Sequence, residues 1–246
     1  MTFDIVTIFP AMVRAGLAEG VVGRGIAAGV LDVEVHDLRD YTTDRHRTVD
    51  DRPYGGGPGM VLKYEPMRDA IRALRGRLPP GVREIVLTAQ GRPFDQAMAR
   101  ELAAAPGMLL VSGRYEGIDE RILAVEVPTE VALGDFVLSG GELAAAVIID
   151  AVARLLPGVL GDENSHVEDS YTAGLLDCPQ YTRPEIADGM AVPAVLLGGD
   201  HAAVRRWRLK QALGRTWLKR PALLAGRKLT VEENELLAEF KVERHE

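Results

Sequence analysis

The chain is nearly devoid of cysteine: Cys178 is the one example in 246 residues. A disulfide framework and any multi-cysteine zinc site are thereby excluded, and a reducing compartment fits. No apolar run approaches the ~18–20 residues that a membrane-spanning helix needs. The opening "MTFDIVTIFP" lacks both the charged start and the small-residue cleavage site of a secretory signal, so a cytoplasmic protein with no membrane partner is expected. The histidines, at 36, 46, 166, 201 and 245, contain no HExxH or other metal spacing, and GxxxxGK[ST] is missing as well, which removes the P-loop. An excess of positive charge is lacking too. A net charge of −7 and a pI near 5.4 argue mildly against nucleic acid as a partner, because affinity for phosphates comes from lysine and arginine. What remains is an ordinary globular composition, 47% hydrophobic and 26% charged, on a chain long enough for a large domain with a smaller appendage.

The apolar pattern divides this chain. "FDIVTIF" (3–9) and "LDVEVHDL" (31–38) read as strands, with a helical stretch at 11–28 between them. "YEPMRDAIRALRGRL" has helical spacing through Met67, Ile71 and Leu74. "EIVLTAQG" (84–91), the helix-like "FDQAMARELAAA" and "MLLVSGRYEG" (108–117) then form a β-α-β series, which predicts an α/β fold with a buried parallel sheet. A glycine-rich turn leads into a long apolar helix expected to run to Pro157. Residues 161–176 lack any period and read as a mobile linker or lid between a domain at 1–160 and a mainly helical one at 177–246. In the latter, Thr230 and Glu233 have the spacing of a capping box.

Three stretches invite chemistry. "RHRTVDDRPYGGGPGM" (45–60) spends glycines, which are costly to order, where a backbone must turn sharply or be approached closely. "VSGRYEG" and "LGDFVLSGGE" put glycines at the ends of successive buried strands, where open α/β sheets bind ligands and where bare backbone groups could grip an adenine edge. "RRWRLKQALGRTWLKR" (205–220) concentrates seven basic residues, a local field able to steer a polyanion, and its spacing of ten predicts that Trp207 and Trp217 share one buried face. "GRGIAA" (23–28) loosely matches a dinucleotide fingerprint but follows a helical pattern, which leaves a nicotinamide-dependent dehydrogenase a remote reading.

Taken in order, "FDIVTIFP", "DRHRTVDDRPYGGGPGM", "VSGRYEGIDERI", "GDFVLSGGELAAAVIIDAVARLLPGVLG", "EDSYTAGLLDCPQYTRPE" and "RRWRLKQALGRTWLKRP" resemble the bacterial tRNA (guanine-N1)-methyltransferases of the SPOUT class over essentially the whole chain. The resemblance implies an α/β domain whose parallel sheet carries a deep trefoil knot, plus a small helical C-terminal domain. It implies a homodimer with active sites at the subunit interface and S-adenosylmethionine as methyl donor. The reaction would methylate N1 of the guanosine next to the tRNA anticodon on its 3′ side, position 37. The matching donor-binding positions are Thr88, Ala89, Gln90 and Gly91; Gly113, Tyr115 and Glu116; and Leu133, Gly134, Asp135, Phe136, Val137, Leu138, Gly140 and Gly141.

N1 of guanine carries a proton, so the transfer needs a general base. By resemblance that base is Asp169, delivered by the lid, and Arg154 stabilises charge on the guanine O6. The anticodon stem-loop would meet His46, Asp50, Arg52, Gly55, Gly56, Gly57, Gly59, Ser165, Arg183, Arg205, Arg208, Lys210 and Arg215. Glu116, Asp169 and Asp177 match acidic positions linked with Mg²⁺, whose ligands stay uncommitted. The chain has Phe136 where the family commonly has tyrosine, which removes one polar contact to the donor. A knotted RNA-binding protein without catalysis is the competing reading, and donor binding separates the two.

Overall fold

The computed structural model describes residues 1–161 and 169–245. The chain divides into two compact units, Met1–Glu163 and Asn164–Glu246. The first runs β1 (Thr2–Thr7), α1 (Pro10–Leu17), α2 (Gly20–Ala27), β2 (Asp32–Asp37), a short turn of 3-10 helix (Leu38–Tyr41), β3 (Asp50–Asp51), β4 (Val61–Leu62), α3 (Tyr64–Arg75), β5 (Arg83–Pro93), α4 (Gln96–Ala103), β6 (Gly107–Ser112), α5 (Glu120–Val125), β7 (Glu130–Ala132) and α6 (Glu142–Ala153). Five strands form one sheet in the order β2-β1-β6-β5-β7, with every neighbouring pair parallel. β3 and β4 make a separate antiparallel pair.

The apolar runs explain this sheet. Every residue of β6 is buried, as a strand covered on both faces requires. Alternate side chains feed opposite cores. Met108 and Leu110 join Phe3, Ile5, Ile85 and Leu87 beneath α1, α2, α4 and α6, whereas Leu109 and Val111 join Val6 and Val86 beneath α3 and α5.

Local chemistry shifts two expected boundaries. The helical stretch at 11–28 is two helices, because Glu19 is extended and Gly20 turns the chain at φ +68°. "GRGIAA" therefore lies within and just beyond α2, and a Cβ on Gly25 would come within 2.8 Å of Leu31, which makes this glycine a packing residue. α6 ends at Ala153, before Pro157, with Arg154 as its C-cap.

The second unit has a hairpin of β8 (Ile186–Ala187) and β9 (Met190–Ala191), then α7 (His201–Lys219), α8 (Ala222–Ala225) and α9 (Val231–His245). Asp200 caps α7 by accepting from the N–H groups of Ala202 and Ala203, both at 3.0 Å. The capping box of α9 is reciprocal: Thr230 N–H donates to Glu233 Oε2 at 2.8 Å and Glu233 N–H to Thr230 Oγ1 at 3.1 Å. Gly214 lets α9 approach α7, since a Cβ there would sit 2.3 Å from the Phe240 ring.

The two tryptophans part company. Ten residues advance about 1000°, roughly 80° short of three turns. Trp217 packs on the core of Leu175, Leu213, Leu236 and Leu237, with Lys241 Nζ 4.9 Å from its ring centroid. Trp207 instead meets Tyr181, 6.4 Å away.

The expected mobile stretch is also tied down where it is described. Tyr171 N–H donates to Leu175 O at 2.7 Å, Leu175 is buried, Leu176 N–H donates to Thr216 Oγ1 at 2.9 Å, and Arg227 donates to Ala173 O. Residues 169–176 thus form a turn anchored on the C-terminal helices by a leucine that an aperiodic sequence does not flag. Ser165, His166 and Glu168 lie outside the described residues.

The most concentrated ion pairing of the first unit holds α3 to the end of α5. Arg72 donates twice to Glu126 Oε1, at 2.6 and 2.9 Å, and Arg75 donates to Oε2 at 3.1 Å. Those hydrogen bonds, Arg72's foremost, hold the Glu126 carboxyl below its ordinary value. A group depressed on folding contributes stability above its unfolded pKa, about 4.3, and loses it as the pH falls through the folded one. Glu126→Gln is expected to cost about 1–2 kcal/mol at neutral pH, a figure kept low because both guanidinium groups are half exposed. Melting curves between about pH 3 and 7 should show the gap to the parent protein closing in acid; a constant gap would place the stabilisation elsewhere.

Candidate active site

The carboxyl ends of β5, β6 and β7 surround a cleft of about 330 Å³. Three loops make its walls. The first is the irregular middle of β5, where its register against β7 shifts between Leu87 and Arg92, and it contributes Thr88, Ala89 and Gln90. The second follows β6 with Gly113, Tyr115 and Glu116, and the third joins β7 to α6 with Leu133, Gly134, Phe136, Val137, Leu138, Gly140 and Gly141. The structure brings thirteen of the fifteen donor positions implied by the resemblance together around this one cleft. Gly91 and Asp135 stand apart from it: Asp135 is exposed, and Gly91 lets β5 cross β7, since a Cβ there would lie 2.3 Å from Val131 N.

The loops are pressed together by backbone. Gly141 N–H donates to Gly113 O at 2.8 Å, and a Cβ on Gly141 would lie 2.7 Å from Ser112 Cα. Tyr115 adopts φ +59°, a left-handed conformation that a bulky residue rarely holds and that aims its ring into the loop region. Partial burial and then the charge of the neighbouring Asp50 carboxylate keep the Tyr115 phenol above its ordinary value. This contact joins the cleft to the segment at 45–60.

That segment is anchored at both ends and open in the middle. β3 pairs with β4, and Glu116 N–H donates to Met60 O at 3.0 Å while Leu62 N–H donates to Gly117 O at 2.9 Å. Gly55, Gly56, Gly57 and Gly59 all have positive φ, between 79° and 118°. A Cβ on the first three would meet nothing within 4 Å among the described residues, and the positive φ is what demands glycine there. Gly59 differs, because a Cβ would strike the Glu116 side chain at 2.3 Å. His46 and Arg52 are exposed on the same segment.

Residues that the sequence did not single out hold the cleft. Glu142 is buried and accepts from Arg114 Nε at 2.9 Å and Thr7 Oγ1 at 2.7 Å. Glu130 reaches the cleft, and its Oε2 is buried with no hydrogen-bond partner among the described residues. Their only sequence signal was an acid beside an apolar run.

Arg154 is half-buried at the end of α6. Asp169 opens the anchored turn of the second unit, where its carbonyl accepts from Thr172 N–H at 3.2 Å. Asp177 spends its carboxylate locally, on Cys178 N–H at 2.6 Å and the Gln180 amide at 3.0 Å. Cys178 is buried, and burial followed by the charge of Asp177 pushes its thiol up to about 11, which leaves it protonated and unreactive near neutrality. Arg183, Arg205 and Arg208 are exposed and Arg215 is half-buried. Lys210 is 13% exposed, with Nζ 2.5 Å from Glu243.

The family profile described as "tRNA (Guanine-1)-methyltransferase TrmD" matches residues 1–226. The chain belongs to the TrmD family. It is 62% identical over 243 residues to the tRNA (guanine-N(1)-)-methyltransferase of Methylococcus capsulatus, covering 99% of this chain and 97% of that one. To the proteins of that name from Salmonella schwarzengrund and Cronobacter sakazakii it is 56% identical, covering 99% of this chain and 95% of each. No helix among the described residues is long and apolar enough to cross a membrane.

The backbone contact at Gly141 can be tested without ligand. Gly141→Ala should cost on the order of 1–3 kcal/mol by overpacking, read from chemical denaturation. Gly161→Ala, where a Cβ would meet nothing within 4 Å among the described residues, serves as the control and should be close to neutral.

Proposed function

We propose that this protein transfers a methyl group from S-adenosylmethionine to N1 of guanosine 37 in tRNA, acting as a homodimer whose first unit is a trefoil-knotted SPOUT domain. The observation that carries this reading is the cleft of three glycine loops at the carboxyl ends of β5, β6 and β7, in a chain of the TrmD family. S-adenosylmethionine supplies an electrophilic methyl group on a sulfonium. The residues present suit such a donor: bare backbone at Gly113, Gly140 and Gly141 can approach an adenine closely, apolar Leu133 and Leu138 can flank it, and the unpartnered Glu130 oxygen offers an acceptor.

Asp169 takes the proton from guanine N1, leaving a nucleophilic lone pair. Arg154 donates to O6, where the negative charge collects. The segment at 45–60, tied to the cleft through Asp50–Tyr115 and Gly59–Glu116, presents the guanosine and excludes water, with His46 and Arg52 toward the flanking phosphates. Arg183, Arg205, Arg208 and Arg215 meet the anticodon arm. Glu116, Asp169 and Asp177 stay the acidic candidates for a Mg²⁺ ion; the Asp177 carboxylate accepts from Cys178 N–H and the Gln180 amide and keeps lone pairs for a further partner.

The dimer rests on an apolar surface that a monomer would leave wet. α6 carries apolar residues outside the core as well, with Leu143 and Val147 each 49% exposed. Phe9, Met12 and Phe136 are exposed as well, and Val137 is 88% exposed. Patches of this kind mark interfaces.

Asp169→Ala should lower single-turnover methyl transfer by roughly 10²–10⁴-fold while tRNA binding persists; turnover within a few-fold of the parent would remove Asp169 from the base role. The double change Leu143→Glu and Val147→Glu should give monomers by sedimentation and abolish transfer. A dimer that survives both charges would put the interface on another face.

A further inference from the structure

A second cavity, of about 620 Å³, lies wholly within the C-terminal unit, between the segment before β8 and the first turns of α7. We infer that it seats one unstacked nucleobase from a single-stranded part of the RNA, a contact separate from the guanosine that is methylated; the inference rests on tRNA being the substrate. Its volume falls in the range of about 300–1,000 Å³ usual for small-ligand sites.

Its walls carry two aromatic rings. Tyr181 and Trp207 lie 6.4 Å apart at 51°, which opens a wedge and precludes a mutual stack. Tyr181 is 50% exposed, an unusual placement for a ring that has an apolar partner beside it. Leu196 and Val204 supply an apolar floor, and Arg183 and Arg208 stand at the rim. A π-face over an apolar floor with guanidinium groups at the edge is what an unpaired base and its phosphate require. A base inside a duplex cannot offer its face to a side chain, so the occupant comes from a loop.

The lining carries two cations, Arg183 and Arg208, against one acid, Glu185, so charge admits an anionic occupant and the aromatic wedge is what selects a base. Two neighbouring cations of α7 already have partners on α9: Arg206 pairs with Glu239 at 2.6 Å and Lys210 with Glu243 at 2.5 Å. Arg183 projects from outside α7, on the exposed stretch before β8.

Filter binding of the full-length protein to an unmodified tRNA transcript tests this. Tyr181→Ala and Trp207→Ala should each weaken binding by about 5- to 100-fold, and Trp207→Phe should restore most of it. The slope of log K against log salt should stay unchanged in both, because stacking releases no counterions, whereas Arg183→Ala should flatten it by about one. Transcripts carrying a single abasic site in turn around the anticodon loop should reveal one position where the parent protein loses affinity and Tyr181→Ala loses no more. Tyr181 is half exposed, so its variant should fold even where a change at Trp207 disturbs packing. Wild-type affinity in Tyr181→Ala would overturn the inference, as would a loss spread evenly over all abasic positions. Failure of the methyltransferase reading would look different: the parent protein itself would transfer no methyl group to tRNA.

Discussion

Glu142 opens α6 with 1% of its surface exposed, and the cleft depends on how its charge is met. Thr7 Oγ1 donates at 2.7 Å from the end of β1, and Arg114 Nε at 2.9 Å from the loop after β6. Arg114 also donates to Ser139 O at 3.0 Å and lies 4.6 Å over the Phe9 ring. A buried carboxylate left unpaired would cost several kcal/mol, so these partners are held together or not at all. The first turn of a helix is also where a negative charge is most welcome. One side chain thereby fixes the end of β1, the second glycine loop, the third glycine loop and the start of α6. The loops owe their freedom to glycine and their fixed positions to this pair, which allows a cleft made mostly of backbone to be rigid before anything binds.

The same loop after β6 carries a second obligation. Arg114 faces Glu142, and its neighbour Tyr115 is held at φ +59° with its phenol toward Asp50. Glu116 follows, pairing backbone with Met60 and leaving room only for glycine at 59. Three successive residues thus serve the strand ends, the 45–60 segment and the cleft. A shift in the glycine-rich segment must be felt at the cleft through them, which gives a physical route by which a seated RNA could adjust the site.

Much of this was legible from patterning. Buried parallel strands announce themselves as continuous apolar runs, and β5 and β6 did. Loops that end such strands in glycine are the ligand-facing loops of open sheets, which pointed to the second and third walls of the cleft, whereas the first, Thr88 to Gln90, came from the family resemblance. What escaped had no local signal. Glu142 and Arg114 are twenty-eight residues apart and meet only because α6 returns to the end of β6. Leu175 looked like one apolar residue in a polar linker, yet it anchors residues 169–176 through contacts with helices forty and sixty residues away. The tryptophan spacing failed by a fraction of a turn, and that fraction put Trp207 against Tyr181.

Net charge was the least informative number. The chain is acidic overall, at −7, but acid and base are sorted on the surface. Glu239 and Glu243 of α9 occupy Arg206 and Lys210 of α7, so part of the basic stretch is structural. Arg205 and Arg208 lie on the same helix and are exposed, and Arg183 adds a third exposed cation from outside it. A polyanion responds to the local field within about 8–10 Å at physiological salt, not to the total. Acids that pin two helices together hold two of the cations of α7 in structural pairs, so a count of basic residues along that helix overstates the field an approaching polyanion meets.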